Sequence, residues 1–159
     1  MEKIILADIE YQACHGCGDC EEDGTCIIVD DMDRIYDLLE SADAVILASP
    51  LYFDDVTAQT KAMIDRTQPL WVRKFRLHKP IGQGRKRVGM FISAGGQEKP
   101  NFRNALSVAK AFFATANFQL TEELLCSKLE RKMDAKSQPD LLRNASEMGK
   151  RLVQSVAGH

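Results

Sequence analysis

Apolar positions along this chain fall into short continuous runs that alternate with stretches of helical spacing. Ile4 to Ile9 is a short apolar run and reads as a strand. Ile27, Ile28 and Val29 are apolar and β-branched but form only a brief run. Ile35, Leu38 and Leu39 recur at helical spacing, so Asp33 to Ser41 is expected to be a helix. Asp30, Asp31 and Asp33 stand at its start, where carboxylates suit the positive end of a helix. Ala44 to Ala48 is apolar on both faces, as a central parallel strand must be.

Pro50 ends that run, and a helix is expected from Val56 or Thr57, with Ala58, Ala62, Met63 and Ile64 on its apolar face. Residues 68 to 86 read as irregular, punctuated by Pro69, Pro80, Gly82 and Gly84. Arg87 to Ser93 is the next strand, Asn101 to Thr115 a helix, and Phe118 to Cys126 a last strand. Lys128 to Ser137 is a polar connection. Pro139 then opens a C-terminal helix whose face carries Leu141, Leu142, Ala145, Met148, Leu152 and Val153. Strand and helix alternate throughout, which predicts an α/β fold with a mostly parallel sheet covered by helices. Ligands of such sheets sit beyond the carboxyl ends of the strands. That rule singles out the loops Ser49–Val56 and Ser93–Glu98.

The 159 residues suffice for one domain with a hydrophobic core, expected over 1–159. The net charge of −2 excludes a global field that selects nucleic acid or an anionic membrane. No apolar run approaches a membrane span, and the first residues lack the pattern of a signal peptide, so a cytoplasmic location is expected. One stretch departs from the average. Arg66 to Gln97 holds no acidic residue, and its lysines and arginines are interleaved with Trp71 and Phe75. It could meet a nicotinamide-dinucleotide phosphate, a flavin phosphate, or the acidic Glu21–Asp23 of a neighbour. A solvated loop anchored by Trp71 is an equal reading.

Four of the five cysteines crowd into one segment as Cys14-x-x-Cys17-x-x-Cys20-x5-Cys26. In a reducing compartment such spacing reads as metal or redox chemistry before disulfides. Three thiols in close succession with a fourth nearby match compact ligation of a [4Fe–4S] cluster. Zinc would accept the same sulfurs, though its usual spacing splits them into two distant pairs. Four reduced thiols without a metal is the plainer alternative. His15, inside the motif, reads as an exposed loop residue, and Cys126 as buried packing.

The segment Cys14-His15-Gly16-Cys17-Gly18-Asp19-Cys20, followed by Gly24 to Met32, resembles the region after the second strand of iron-sulfur flavoproteins and NAD(P)H-dependent FMN reductases. Ala42 to Phe53 is similar to that family's third strand and flavin loop, Val56 to Arg66 to the helix after it, and Ser93 to Gln97 to the loop after its fourth strand. The resemblance implies a flavodoxin-like three-layer sandwich that begins at the family's second strand, its first β-α unit absent. It implies a flavin-dependent oxidoreductase, with FMN held between Pro50, Leu51, Tyr52, Phe53 and Asp54 on one side and Ser93, Ala94, Gly95 and Gly96 on the other. NAD(P)H would be the reductant, and a small molecule or protein the electron acceptor. No catalytic side chain is assigned, because the flavin carries the hydride chemistry. Without the resemblance, Tyr52 and Phe53 read as packing at a strand end. Asp54-Asp55 departs from the small residue and Asn usual there, and no Gly-rich loop offers a phosphate cradle. An iron-sulfur electron-transfer module without flavin, or a non-enzymatic subunit of the same fold, are the alternatives. Right-handed crossovers would leave only the C-terminal helix on one face of the sheet, so an exposed apolar patch and a homo-oligomer are expected.

Overall fold

The computed structural model describes residues 1–131 and 134–157. Three parallel strands form one sheet in the order β1 (Ala44–Pro50), β2 (Val88–Ala94), β3 (Gln119–Cys126). Ala44 pairs with Val88 and Pro50 with Ala94, so β1 and β2 end level. Helices α2 (Met32–Ser41), α3 (Ala58–Asp65), α4 (Gln68–Phe75) and α5 (Arg103–Thr115) cover one face. Helix α6 (Pro139–Gln154) covers the other, where Met148 and Leu152 pack on Val88, Met90, Leu124 and Cys126. This is the expected three-layer arrangement. The sequence expectations for α2, α3, α5, α6 and all three strands hold to within two residues. Lys132 and Met133 of the connection Lys128–Ser137, and the last two residues of the expected domain, lie outside the described residues.

Two expectations are corrected. Ile4–Ile9 is not a strand. Leu6–Asp8 is a single 3₁₀ turn, closed by Asp8 N–H donating to Ile5 O at 2.9 Å. The cause lies in the spacing of apolar residues. Ile4, Leu6, Ile9 and Tyr11 all pack on the core below α3, while Ile5 stays exposed. A continuous strand would carry Leu6 and Ile9 to opposite faces, because side chains alternate. The turn corrects the phase. Residues 68 to 86 are likewise not wholly irregular, since Gln68–Phe75 is α4. Pro69 lies in its first turn, where a missing N–H costs nothing. Leu70 and Val72 bury the helix in the core.

Two close contacts fix the layers. A Cβ on Gly89 of β2 would stand 2.4 Å from the ring of Phe113 in α5, itself buried. Gly89→Ala is therefore expected to destabilise the protein by about 1–3 kcal/mol through overpacking. Urea unfolding checks this, as a lower midpoint with unchanged slope. At the amino end of β2, buried Arg87 donates to the carbonyls of Leu39, Ala42, Ile81 and Ala116 and lies 3.8 Å over the Phe118 ring. Burial, and then Arg85 nearby, pull its pKa down to about 10, so it stays charged at neutral pH.

Candidate functional site: a four-cysteine cavity and the strand-end loops

The cysteine segment is held from both flanks by one side chain. Arg66 follows α3, and the positions Thr60, Met63 and Arg66 recur at helical spacing on its buried side. Its guanidinium, 1 % exposed, reaches Asp30 (2.7 and 3.1 Å), Gln12 O (2.8 Å) and Ile28 O (3.2 Å). Gln12 and Ile28 bracket the segment that carries Cys14 to Cys26. Asp30 continues the tie by accepting the N–H groups of Gln12 (2.9 Å) and Met32 (3.0 Å). Tyr36 donates its hydroxyl to Arg66 O, and burial raises its pKa to about 12.

Within this frame the chain forms a short helix, α1 (Cys20–Asp23), closed by Gly24 in the left-handed conformation. Gly24 is also where α4 crosses. A Cβ there would lie 2.3 Å from Cγ of Arg73. Gly16 and Gly18 take left-handed backbone too, which folds the cysteine loop back on itself. The result is a cavity of about 130 Å³ lined by Cys14, Cys17, Cys20 and Cys26, with Arg66 and Trp71 in its wall. His15 is exposed, as expected of a loop residue. All four thiols are free. Burial raises the Cys20 thiol pKa, and so do the neighbouring thiols of Cys26, Cys14 and Cys17. Among the described residues the four sulfurs are not gathered tightly enough to hold a single metal ion. A four-iron cluster is larger than one ion and sets its cysteines further apart. Four cysteine thiols lining one cavity are the donor set that a [4Fe–4S] cluster or a zinc ion would take.

The Asp30–Arg66 pair carries a pH dependence. Burial alone would raise the Asp30 pKa, but the Arg66 hydrogen bonds and the N–H groups of Gln12 and Met32 hold it below its ordinary 3.8. For Arg66, burial pulls the pKa down, and the bonds to Asp30 and the Tyr36 phenol raise it further than that. A depressed carboxylate stabilises the fold fully above about pH 4 and loses that contribution as pH falls through the folded value. The stability gap between wild type and Asp30→Asn should therefore be constant near neutrality and shrink below about pH 4. Denaturant titrations read by the single tryptophan, Trp71 in the cavity wall, check this.

The second set of expected residues lies at the carboxyl ends of β1 and β2. Register brings them together: Pro50 pairs with Ala94, and Leu51 N–H donates to Ala94 O at 2.8 Å. Tyr52 and Asp55 close a tight turn through paired backbone bonds of 2.9 and 3.0 Å, with Phe53 and Asp54 both at positive φ. The turn pushes Phe53 fully into solvent and leaves Tyr52 61 % exposed. These aromatics are therefore not packing at a strand end. Both carboxylates of the Asp54-Asp55 pair are engaged locally. Asn101 donates to Asp54 at 3.0 Å, and Val56 N–H to Asp55 at 2.7 Å. Ser93 is buried beneath the loops, opposite Ser49, and its hydroxyl has no partner. The space beside Gly95 is taken by Pro100 and Leu51, and that beside Gly96 by Glu130. Those glycines admit close packing of the chain on itself.

Parallel strands that end in two converging loops, in a chain that also carries a cavity lined by four cysteines, match the family read from the sequence. Residues 3–126 match the family described as NADPH-dependent FMN reductase. The chain belongs to that family. Among curated relatives of this family member, an iron-sulfur flavoprotein of Methanocaldococcus jannaschii is 45 % identical over 97 residues, covering 61 % of this chain and 49 % of the relative. An iron-sulfur flavoprotein of Methanosarcina thermophila is 36 % identical over 98 residues, covering 62 % and 50 %. The chain spans about half the length of these relatives. Among solved structures, a flavone reductase superposes with a TM-score of 0.69 at 15 % identity over 99 % of this chain and 52 % of its own. An NADH:FMN oxidoreductase in its apo form gives 0.61 at 14 % identity, over 98 % and 72 %. These likenesses establish the flavodoxin-like fold.

The basic stretch of this reductase-family chain is largely paired within the molecule. Arg73 meets Glu40, Arg76 meets Glu21 at 2.6 Å, and Arg85 meets Asp43. Glu21 of the acidic Glu21–Asp23 region thus finds a cation in the same chain, while residues 76–86 of the stretch remain an irregular and largely exposed connection. Cys126 is buried packing at the end of β3, as expected, and burial raises its thiol pKa. No helix among the described residues is long and apolar enough to cross a membrane.

Proposed function

We propose that this chain carries the iron-sulfur site and the ring side of the FMN site of a flavin-dependent oxidoreductase that takes electrons from NAD(P)H. The observation that carries this reading is the cavity in which Cys14, Cys17, Cys20 and Cys26 come together. Those residues would hold a [4Fe–4S] cluster, which supplies one-electron transfer when bound. Pro50 to Asp54 and Ser93 to Gly96 would line FMN, with Tyr52 and Phe53 as exposed stacking faces and the buried Ser93 hydroxyl as an unspent polar group. The acceptor is a small molecule or a second redox protein.

The open setting of Tyr52 and Phe53 favours one second reading, an iron-sulfur electron-transfer module without flavin. It also favours assembly. The outer edge of β1 has no strand beside it among the described residues, and Ile46 on the face away from α3 is 45 % exposed. A homo-oligomer would cover both, and gel filtration giving a clean monomer would overturn that assembly. Anaerobic purification followed by a visible spectrum and iron analysis tests the function. A flavin band with iron supports the main reading, and broad iron-sulfur absorption alone supports the second. A colourless protein that takes up neither iron with sulfide nor FMN overturns both.

A further inference from the structure

The backbone of β1 faces β2 on one side and an open edge on the other. Val88 N–H donates to Asp43 O (2.9 Å) and Leu51 N–H to Ala94 O (2.8 Å). Peptide groups alternate in direction along a strand, so Asp43, Val45, Leu47, Ser49 and Leu51 turn their backbone groups to β2. Ala44, Ile46 and Ala48 turn theirs to the edge, where among the described residues no strand stands and no backbone partner reaches them. An unpaired edge is a template for another strand, and soluble proteins blunt it with charges, bulges or a covering element. From Ala44 to Ala48 this strand carries no charge, and its ladder with β2 runs without a bulge. Pro50, at its end, is the one blunting residue. On the sheet face away from α3, the exposed Ile46, Ala48 and Pro50 form an apolar strip along the same edge.

We propose that two copies of this chain pair β1 with β1, antiparallel, about a two-fold axis at Ile46, so that their sheets become one. This rests on the homo-oligomer proposed above and names its interface. A two-fold interface must be self-complementary. The β1 edge is so in one register. With Ile46 opposite its own copy, Ala44 lies opposite Ala48 of the partner subunit. Each outward residue then exchanges N–H and C=O bonds with another outward residue, and Pro50, which has no N–H, falls beyond the ladder. A register centred on Leu47 instead sets Ala44 against Pro50 of the partner subunit and loses a bond. The favoured register also brings the two Ile46 side chains together on the exposed face, since directly opposed positions stand about 5 Å apart. A strand from a different polypeptide is the competing occupant, and it leaves the purified chain monomeric.

Sedimentation velocity of the full chain over a concentration series, with its thiols kept reduced, tests this. Wild type is expected to form a dimer. Ile46→Glu and Ile46→Lys are each expected to lose it, because like charges then stand directly opposite across the axis. Mixed in equal amounts, the two variants are expected to regain it, since the opposed charges then differ in sign. Ala48→Pro is expected to lose the dimer and keep its circular dichroism spectrum, because the N–H it removes points to the open edge and serves no bond to β2. Wild type that stays monomeric overturns both this interface and the homo-oligomer. A dimer that survives in all three variants overturns the β1 pairing alone. Folded Ile46 variants whose mixture stays monomeric overturn the pairing at Ile46. If the variants do not fold, hydrogen exchange of wild type decides: the Ile46 and Ala48 amides are expected to slow as rising concentration turns monomer into dimer, and unchanged exchange overturns the proposal.

Discussion

Arg66→Ala is expected to destabilise the protein by about 3–5 kcal/mol, the usual cost of removing one member of a buried ion pair. The loss exceeds a typical surface substitution because three separate debts fall due together. Asp30, whose side chain is only 10 % exposed, keeps its charge without a partner. The carbonyls of Gln12 and Ile28 lose their donor. The segment between them, which carries all four cysteines, is released from the body of the domain. Equilibrium urea unfolding should show the drop, and Trp71 emission should change in native buffer, because Trp71 lines the freed cavity. The double variant Arg66→Met/Asp30→Leu should recover part of the loss, since replacing both charges by apolar groups removes the stranded carboxylate. A single variant that unfolds like wild type would mean that the pair adds nothing to the fold.

How far this site was legible in the sequence depends on distance along the chain. The cysteine spacing is local, and a local pattern reads directly as ligands. The convergence of Pro50 and Ala94 is not local, yet it follows from strand-helix alternation, which sets both loops at one end of a parallel sheet. Arg66 was visible only as one of several cations in a basic stretch. Its partner is 36 residues away, and its neighbours along the chain pair elsewhere. The available signal was its helical spacing from Thr60 and Met63, which marks a charged residue on a buried face. The misread elements have the same origin. Pro69 looks like an interruption until the helix that starts there is known. Ile4 to Ile9 looks like a strand until the positions of Ile4, Leu6, Ile9 and Tyr11 are compared with a strand's alternation. The exposed turn at Phe53 and Asp54 was beyond reach, because two non-glycine residues at positive φ carry no compositional mark.

Cys20→Ala separates the chemistry of the loop from the stability of the fold. Cys20 opens α1, which lies outside both hydrophobic clusters, so its removal should change the stability of the metal-free protein by no more than about 0.5 kcal/mol. Its effect on loading should be near complete. Cys20 lines the same cavity as Cys14, Cys17 and Cys26, so on the proposed reading its loss leaves three ligands where a four-iron cluster takes four. A ligand that binds only the folded state raises apparent stability by mass action. Reconstitution with iron and sulfide should therefore raise the melting temperature of wild type and leave Cys20→Ala unchanged, with iron analysis giving about four irons per chain against few or none. Cys126→Ala is the matched control. Its thiol is buried in the α6 face of the sheet, away from the cavity, so it should lose stability and keep its iron. If both variants load alike, the four cysteines do not act as one ligand set. If Cys20→Ala instead unfolds, α1 anchors the fold, and its close approach to α4 at Gly24 and Arg73 would be the contact responsible.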